Sequence, residues 1–208
     1  MTGRLAAISS LIEPARVIAD VGCDHGLIAE YCVKNGVCEH VIASDISATC
    51  LNKAKSKLAA YKNVTFTVCD GIEYECDEAI IAGMGGLLIS AILEKAAVLP
   101  QTLVLCPHRD ADIVRRTLIR LRYSIDGDII AEERGKIYFI IRARRDGGAQ
   151  ALDELQYLFG VNYRCENDLL KAYLQKLYDI CMLAPDKNAD RLASVLAAMT
   201  AQGMRLPD

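Results

Sequence analysis

The stretch Asp20-Val21-Gly22-Cys23-Asp24-His25-Gly26 constrains this chain more than any other seven residues. It follows an apolar run at 15–19 and opens into 27–34, where apolar residues recur at helical spacing. A strand, a tight glycine turn and a helix N-terminus together form a concave backbone suited to a nucleotide-like cofactor. Two further turn signals follow strand-like runs, Ser44-Asp45 and Cys69-Asp70-Gly71. The first half of the chain reads as one cofactor cradle.

Around this cradle the pattern alternates. A short helix over 5–12 ends at Pro14, and strands are expected at 17–21, 40–45, 64–68, 78–83 and 102–106. Helices fill the intervals at 27–35, 46–61, 87–97 and 111–121, and two strands at 123–132 and 136–144 pair about Arg134-Gly135. That order predicts an α/β fold, a doubly wound, Rossmann-like, mostly parallel sheet closed by a hairpin. Gly147-Gly148 marks a boundary, so 1–147 is expected to be the catalytic domain and 148–208 a small C-terminal helical module. Helices are expected there at 152–159, 167–183 and 189–199.

Composition narrows the possibilities. Hydrophobic residues make up 52% of the 208, enough for a core and too many for a disordered chain. The longest apolar stretch, 79–93, is interrupted by glycines and is shorter than the roughly 20 residues a bilayer demands. No leader pattern of basic residues, apolar run and small-residue cleavage site opens the sequence, and a reduced cytoplasm is the expected location. The nine cysteines are scattered without a CxxC pair, and the three histidines form no spaced ligand set, so no metal is expected. Net charge is −3, which disfavours a protein that coats nucleic acid. Arg115, Arg116, Arg142, Arg144 and Arg145 nevertheless make local basic clusters that could meet phosphates. The competing reading is a solvated helix face and an edge strand blunted by charge.

The glycine frame Asp20-x-Gly22-x-Asp24-x-Gly26 lacks the GxGxxG spacing of dinucleotide turns. It fits the related turn of S-adenosylmethionine enzymes, with Asp24 replacing the middle glycine. A sulfonium cofactor has no phosphate to be repelled by these carboxylates, and its ammonium group can meet them. Asp45, followed by Ile46, is placed to accept from ribose hydroxyls; Asp70, flanked by Cys69 and Gly71, to accept from the adenine amine. Helix-cap or turn roles are the alternative for each carboxylate. Gly83 and Met84, in Ala82-Gly83-Met84-Gly85-Gly86, would flank the methyl-donor centre and an incoming flat base. Gly85-Gly86 would equally permit close helix–sheet packing.

With these residues assembled, the chain resembles the bacterial tRNA (adenine-22-N1)-methyltransferase family. The likeness runs from Arg4-Leu5-Ala6-Ala7-Ile8 through the Asp20–His25 turn, Asp70-Gly71 and Ile81–Gly86 to Lys136-Ile137-Tyr138-Phe139-Ile140, with Leu158-Phe159-Gly160 in the module. It implies an enzyme that uses S-adenosylmethionine to methylate N1 of a tRNA adenosine. It also implies a Rossmann-like catalytic domain followed by a helical, partly coiled-coil one. By resemblance, Asp20, Gly22, Asp24 and His25 fall on the first motif, Asp70-Gly71 on the adenine-contacting motif and Gly83–Gly86 on the active-site loop. Cys23 stands where serine is common, Gly26 where alanine is usual, Asp45 where glutamate is, and Cys106-Pro107-His108 where Gln-Pro-Asn is.

N1 of adenine carries an in-plane lone pair, so alignment and electrostatics matter more than a general base. Asp24 and His25 are the expected polar residues at the reacting centre. His25 would stack on or hydrogen-bond the base, or else satisfy backbone groups of the turn. His108 is the second candidate for substrate contact, against a surface or capping role. Rival readings are a methyltransferase for another RNA site or a metabolite, and a non-catalytic binding protein that kept the fold. An NAD oxidoreductase is disfavoured by the glycine spacing.

Overall fold

Successive residues in a strand point to opposite faces, so a strand covered on both sides must be apolar throughout. The runs Ala79-Ile80-Ile81 and Leu103-Val104-Leu105 have that character and are fully buried. A computed structural model of the chain describes residues 3–148 and 150–206; residue 149 and the extreme ends of the two expected units, 1–2 and 207–208, lie outside the described residues. It begins with α1 (Gly3–Ser10), β1 (Ala15–Val21), α2 (Leu27–Lys34), β2 (Cys38–Asp45), α3 (Ala48–Leu58) and β3 (Val64–Val68). It continues through β4 (Glu78–Ala82), α4 (Gly86–Lys95), β5 (Thr102–Cys106), α5 (Ala111–Arg120), β6 (Ser124–Glu133) and β7 (Lys136–Arg144). Three helices follow, α6 (Glu154–Phe159), α7 (Asp168–Met182) and α8 (Ala189–Ala201), with a 3-10 turn at Pro185–Asn188.

The seven strands lie in the order β3-β2-β1-β4-β5-β7-β6. β1 to β5 are mutually parallel, and β7 runs antiparallel to both neighbours. The β6–β7 turn is a two-residue hairpin in which Arg134 and Gly135 both have positive φ, 53° and 76°. The chain winds outward from β1 to β3, then crosses back to β4 on the other side of β1. This reversal parts the loops above β1 and β4 and opens a crevice at their carboxyl ends.

Alternation sorts the core into two layers. Ile18, Ile80, Val104 and Ile140 face α1, α2 and α3, joining Ile8, Ala29, Cys32 and Leu51. Their neighbours Ala19, Ile81, Leu105 and Ile141 face α4 and α5, joining Ile89, Leu93, Val114 and Leu118. Local chemistry sets the helix starts. α3 begins after Ser47, whose hydroxyl accepts from Cys50 N, rather than at 46. α6 begins after a capping box made by Asp153 and Gln156, two residues later than the apolar pattern indicated.

The C-terminal helices have their own apolar cluster, including Phe159, Leu170, Leu174, Val195 and Met199, with Ile130 of β6 packed against it. A buried ion pair fastens them to the sheet. Arg115 of α5, 0% exposed, donates from Nε and Nη2 to the Asp128 carboxylate of β6 at 2.8 and 3.0 Å. Its Nη1 donates to the Tyr157 carbonyl, and Asp128 also accepts from Val161 N. The guanidinium lies 4.7 Å from the Phe139 ring centroid. Arg115, expected at a phosphate, is instead a sealed structural group: its donors are committed and water cannot reach it. Among the described residues no helix is long and apolar enough to cross a membrane.

Removing one member of a buried pair strands the other charge. Arg115→Gln should lower the unfolding free energy by about 3–5 kcal/mol, measured by urea titration. A loss below about 1 kcal/mol would show that Asp128 is otherwise satisfied.

Candidate active site

The crevice holds a cavity of about 750 Å³, lined from β1, β2, β4, the loops that follow them, and α1. Its floor is the turn after β1. Gly22 N and Cys23 N both donate to the Ser44 carbonyl at 2.8 and 2.9 Å, pinning that turn to β2. Asp24 sits in the left-handed region at φ 40°, which turns the chain into α2. Asp45 braces the same turn from β2: its Oδ2 accepts from Asp24 N at 3.2 Å and its Oδ1 from Ser47 N at 2.8 Å.

Asp20 is 3% exposed, and its Oδ2 accepts from Ala29 N in α2 at 3.0 Å. Burial pushes its pKa up to about 7; the Ala29 hydrogen bond opposes this and the nearby Asp45 charge adds to it. Asp24 and His25 stand at the open side. Asp24 Oδ1 lies 3.5 Å from Lys53 Nζ, and its Oδ2 lies 3.4 Å from His25 Nε2. Asp70 is exposed, its backbone N donating to Glu73 Oε1 and its carboxylate 3.8 Å from Lys95 Nζ. Apolar Leu27, Ile46 and Leu88 are exposed at the cavity wall, as a site for a flat, partly apolar ligand requires.

The far end is built by elements distant in sequence. His108 N, after β5, donates to the Met84 carbonyl at 2.8 Å, and Gly86 N donates to the Arg109 carbonyl, so the loops after β4 and β5 are stitched together. Arg4 of α1 reaches across: its Nη1 lies 2.8 Å from His108 Nε2, its Nε 3.8 Å from Glu133 Oε2, and its guanidinium 5.0 Å from the Tyr138 ring centroid. A second cavity of about 610 Å³ shares His108 and runs between the β5 loop and the C-terminal helices, with Phe139, Tyr173 and Arg191 in its wall.

Asp20, Gly22, Cys23, Asp24, His25, Asp45, Ile46, Cys69, Asp70, Gly71, Gly83, Met84 and His108 all line the first cavity. Gly26 does not. At φ 63° it precedes α2, and a Cβ there would sit 3.1 Å from Ala54 Cβ and from Leu58 Cδ1, so it serves the packing of α2 on α3. The remaining arginines are also elsewhere. Arg142 and Arg144 pair with Val104 and Thr102 at the opening half of β5, away from the cavity beyond Cys106, and both are clasped by Glu13 and Asp126. Arg145 lies over Tyr123, and Arg116 binds Glu154 and stacks on Tyr157. These arginines thus lie outside the cavity, because β7 runs antiparallel to β5 and carries its basic end away from the carboxyl ends of the parallel strands. Arg4, Glu133 and Tyr138 were missed as site residues; only the resemblance, which begins at Arg4, pointed there.

Among the described residues no group of three or more His, Cys, Asp or Glu could hold a metal ion. Residues 1–141 match the family model described as a methyltransferase domain, so the protein is a methyltransferase of the Rossmann-like class. A putative tRNA methyltransferase of Mycoplasma pneumoniae is 32% identical over 185 residues, spanning 83% of this chain and 87% of the relative. The tRNA (adenine(22)-N(1))-methyltransferase of Bacillus subtilis is 30% identical over 171 residues, spanning 77% of this chain and 72% of the relative. The chain belongs to the tRNA (adenine-22-N1)-methyltransferase family. In fold it matches the M. capricolum protein TrmK, solved with S-adenosyl-homocysteine, at a TM-score of 0.89 and 20% identity over 97% of this chain and 98% of that one.

Gly86 has one further requirement: a Cβ would lie 2.2 Å from the Asp110 carbonyl oxygen, a backbone atom that cannot step aside. Gly86→Ala should displace the loop carrying His108 and cost about 1–3 kcal/mol, read as a lowered midpoint in thermal unfolding. An unchanged midpoint would show that the loop yields freely.

Proposed function

We propose that this protein transfers a methyl group from S-adenosylmethionine to N1 of an adenosine in tRNA, at position 22, and works in the cytoplasm. The observation that carries this reading is the ring of carboxylates on the first three strand ends, Asp20, Asp45 and Asp70, around one cavity. They suit a cofactor with hydroxyls, an amine and positive charge, and would repel one with phosphates. When bound, that cofactor supplies an electrophilic methyl group to the lone pair of N1.

The chain's own residues do the rest. Asp20 opposes the cationic part of the cofactor, Asp45 with Ile46 holds the ribose, and Asp70 with Cys69 and Gly71 holds the adenine. Gly22, Cys23, Gly83 and Met84 close the middle. Asp24, His25 and His108 orient the target base, and Asp24 and Glu133 favour the positive charge it gains. Such alignment contributes up to about 7–11 kcal/mol without any general base. An adenosine stacked within tRNA must first be exposed, at a cost of a few kcal/mol. With Arg115 sealed in the interior, phosphate contacts fall to exposed cations such as Arg109 and Arg191 beside the second cavity, with Arg116 on the same flank. We read 1–147 as the catalytic unit and 148–208 as the unit that helps present the RNA.

Methylation of an unmodified tRNA transcript, followed by mass spectrometry of nucleosides and mapping of the modified position, tests the reading. N1-methyladenosine at 22 is expected. Heat on titration with the methyl donor but no methylated tRNA would sink the substrate assignment and leave a methyltransferase of another target.

The buried Asp20 gives the cofactor step a pH dependence. A cationic ligand favours the ionised carboxylate, so below about pH 7 binding must expel a proton. Calorimetry should show affinity rising from about pH 5.5 to about pH 7, by at most about tenfold per unit. Asp20→Asn, which keeps an acceptor for Ala29 N, should bind more weakly and flatten that slope. A wild-type affinity independent of pH would remove Asp20 from contact with the charge.

A further inference from the structure

His108 and Arg4 are 104 residues apart in sequence and 2.8 Å apart at the cavity wall, through Nη1 and Nε2. A guanidinium has five N–H donors and no acceptor, so the imidazole nitrogen facing it must carry a lone pair. The ring proton is then on Nδ1, and the ring is neutral, because a second cation cannot sit at that distance. The neighbouring cations reinforce this. Arg4 comes from α1 and Lys136 and Tyr138 from β7; the Tyr138 ring packs edge-on at 5.9 Å. Glu133 of β6 lies nearest Arg4 and balances its charge, while Arg109 and Asp110 on the loop of His108 pair with each other. Partial burial, then the charges of Arg4 and Lys136, hold the pKa of His108 below the ordinary histidine value.

We propose that Arg4 is a positioning residue that holds His108 as the neutral, Nδ1-protonated imidazole, so that the ring offers one directed donor to the target base. On the reading above, N1 must keep its lone pair for the methyl group. The donor therefore serves N3 or N7, the other ring acceptors of a purine, and a pyrimidine cannot supply them in the same place. Neutrality matters for a second reason: the methylated base is a cation, and an imidazolium beside it would oppose its formation. Arg4 thus sets both the direction and the charge of the group that meets the base. The identity of the acceptor rests on the proposed function; the tautomer does not.

The chain has three histidines, so the ring nitrogens can be followed in long-range ¹H–¹⁵N spectra of the full-length labelled protein, with His108 assigned by the signals lost in His108→Asn. In the wild type, His108 should be protonated at Nδ1, unprotonated at Nε2, and neutral to pH values below the ordinary histidine pKa of about 6.5. Arg4→Met should return the titration towards that value, and tRNA methylation in this variant should gain an acid limb there that the wild type lacks. His108→Ala should slow transfer at least tenfold with the heat of cofactor binding unchanged, and His108→Asn, which keeps an N–H donor, should restore most of it. A proton on Nε2 in the wild type, or a His108 titration identical in Arg4→Met, would overturn the proposal. So would His108→Ala transferring methyl groups at the wild-type rate. Should the wild type methylate no tRNA at all, the functional reading fails, and the spectra still decide whether Arg4 fixes the ring.

Discussion

The reversal of strand order between β1 and β4 is the constraint on which the rest depends. A parallel sheet buried on both faces needs helices on each side, and the chain supplies them by winding first one way from β1 and then the other. Only at the reversal do neighbouring strands send their loops apart. Asp20, Gly22 and Asp24 leave β1 at that point, and Gly83 and Met84 leave β4 beside them. The cavity is therefore a by-product of covering the sheet, and its chemistry follows from which residues occupy the strand tips.

The strand tips were the legible part of the sequence. Val64–Val68 and Thr102–Cys106 form strands over the residues that their composition indicates, because β-branched and apolar runs bounded by turn residues have no other stable use. Asp45, the last residue of β2, and Asp70, two residues beyond β3, could be placed because the crevice lies outside the carboxyl ends of the parallel strands. The arginines could not be placed the same way. Arg142 and Arg144 look free in a linear sequence, and their clasp by Glu13 and Asp126 requires knowing that β7 runs back beside β5. Gly26 resembled a cofactor glycine because its true neighbours, Ala54 and Leu58, belong to the next helix. Arg4 carries no local signal at all; its role exists only once α1 packs against β6.

The cysteines fit the same picture. All nine are free thiols. Burial raises the pKa of Cys23, Cys76 and Cys106 to about 12 in each case, and that of Cys38 to about 11. Thiols held this far from ionisation are poor nucleophiles and act as small apolar side chains. Cys23 borders the cavity without offering it a reactive sulfur, consistent with a reaction that needs alignment instead of covalent catalysis.

The junction of Arg115 with Asp128 ties α5, β6 and the segment through Tyr157 and Val161 into one hydrogen-bonded knot. Because two of its contacts cross from the sheet side to the C-terminal segment, the two parts cannot slide past each other without exposing a bare charge. A long substrate resting on those helices while one nucleotide enters the crevice would be gauged by a caliper of fixed span. Selection of one site along such a substrate then becomes a matter of distance as much as of recognising a base.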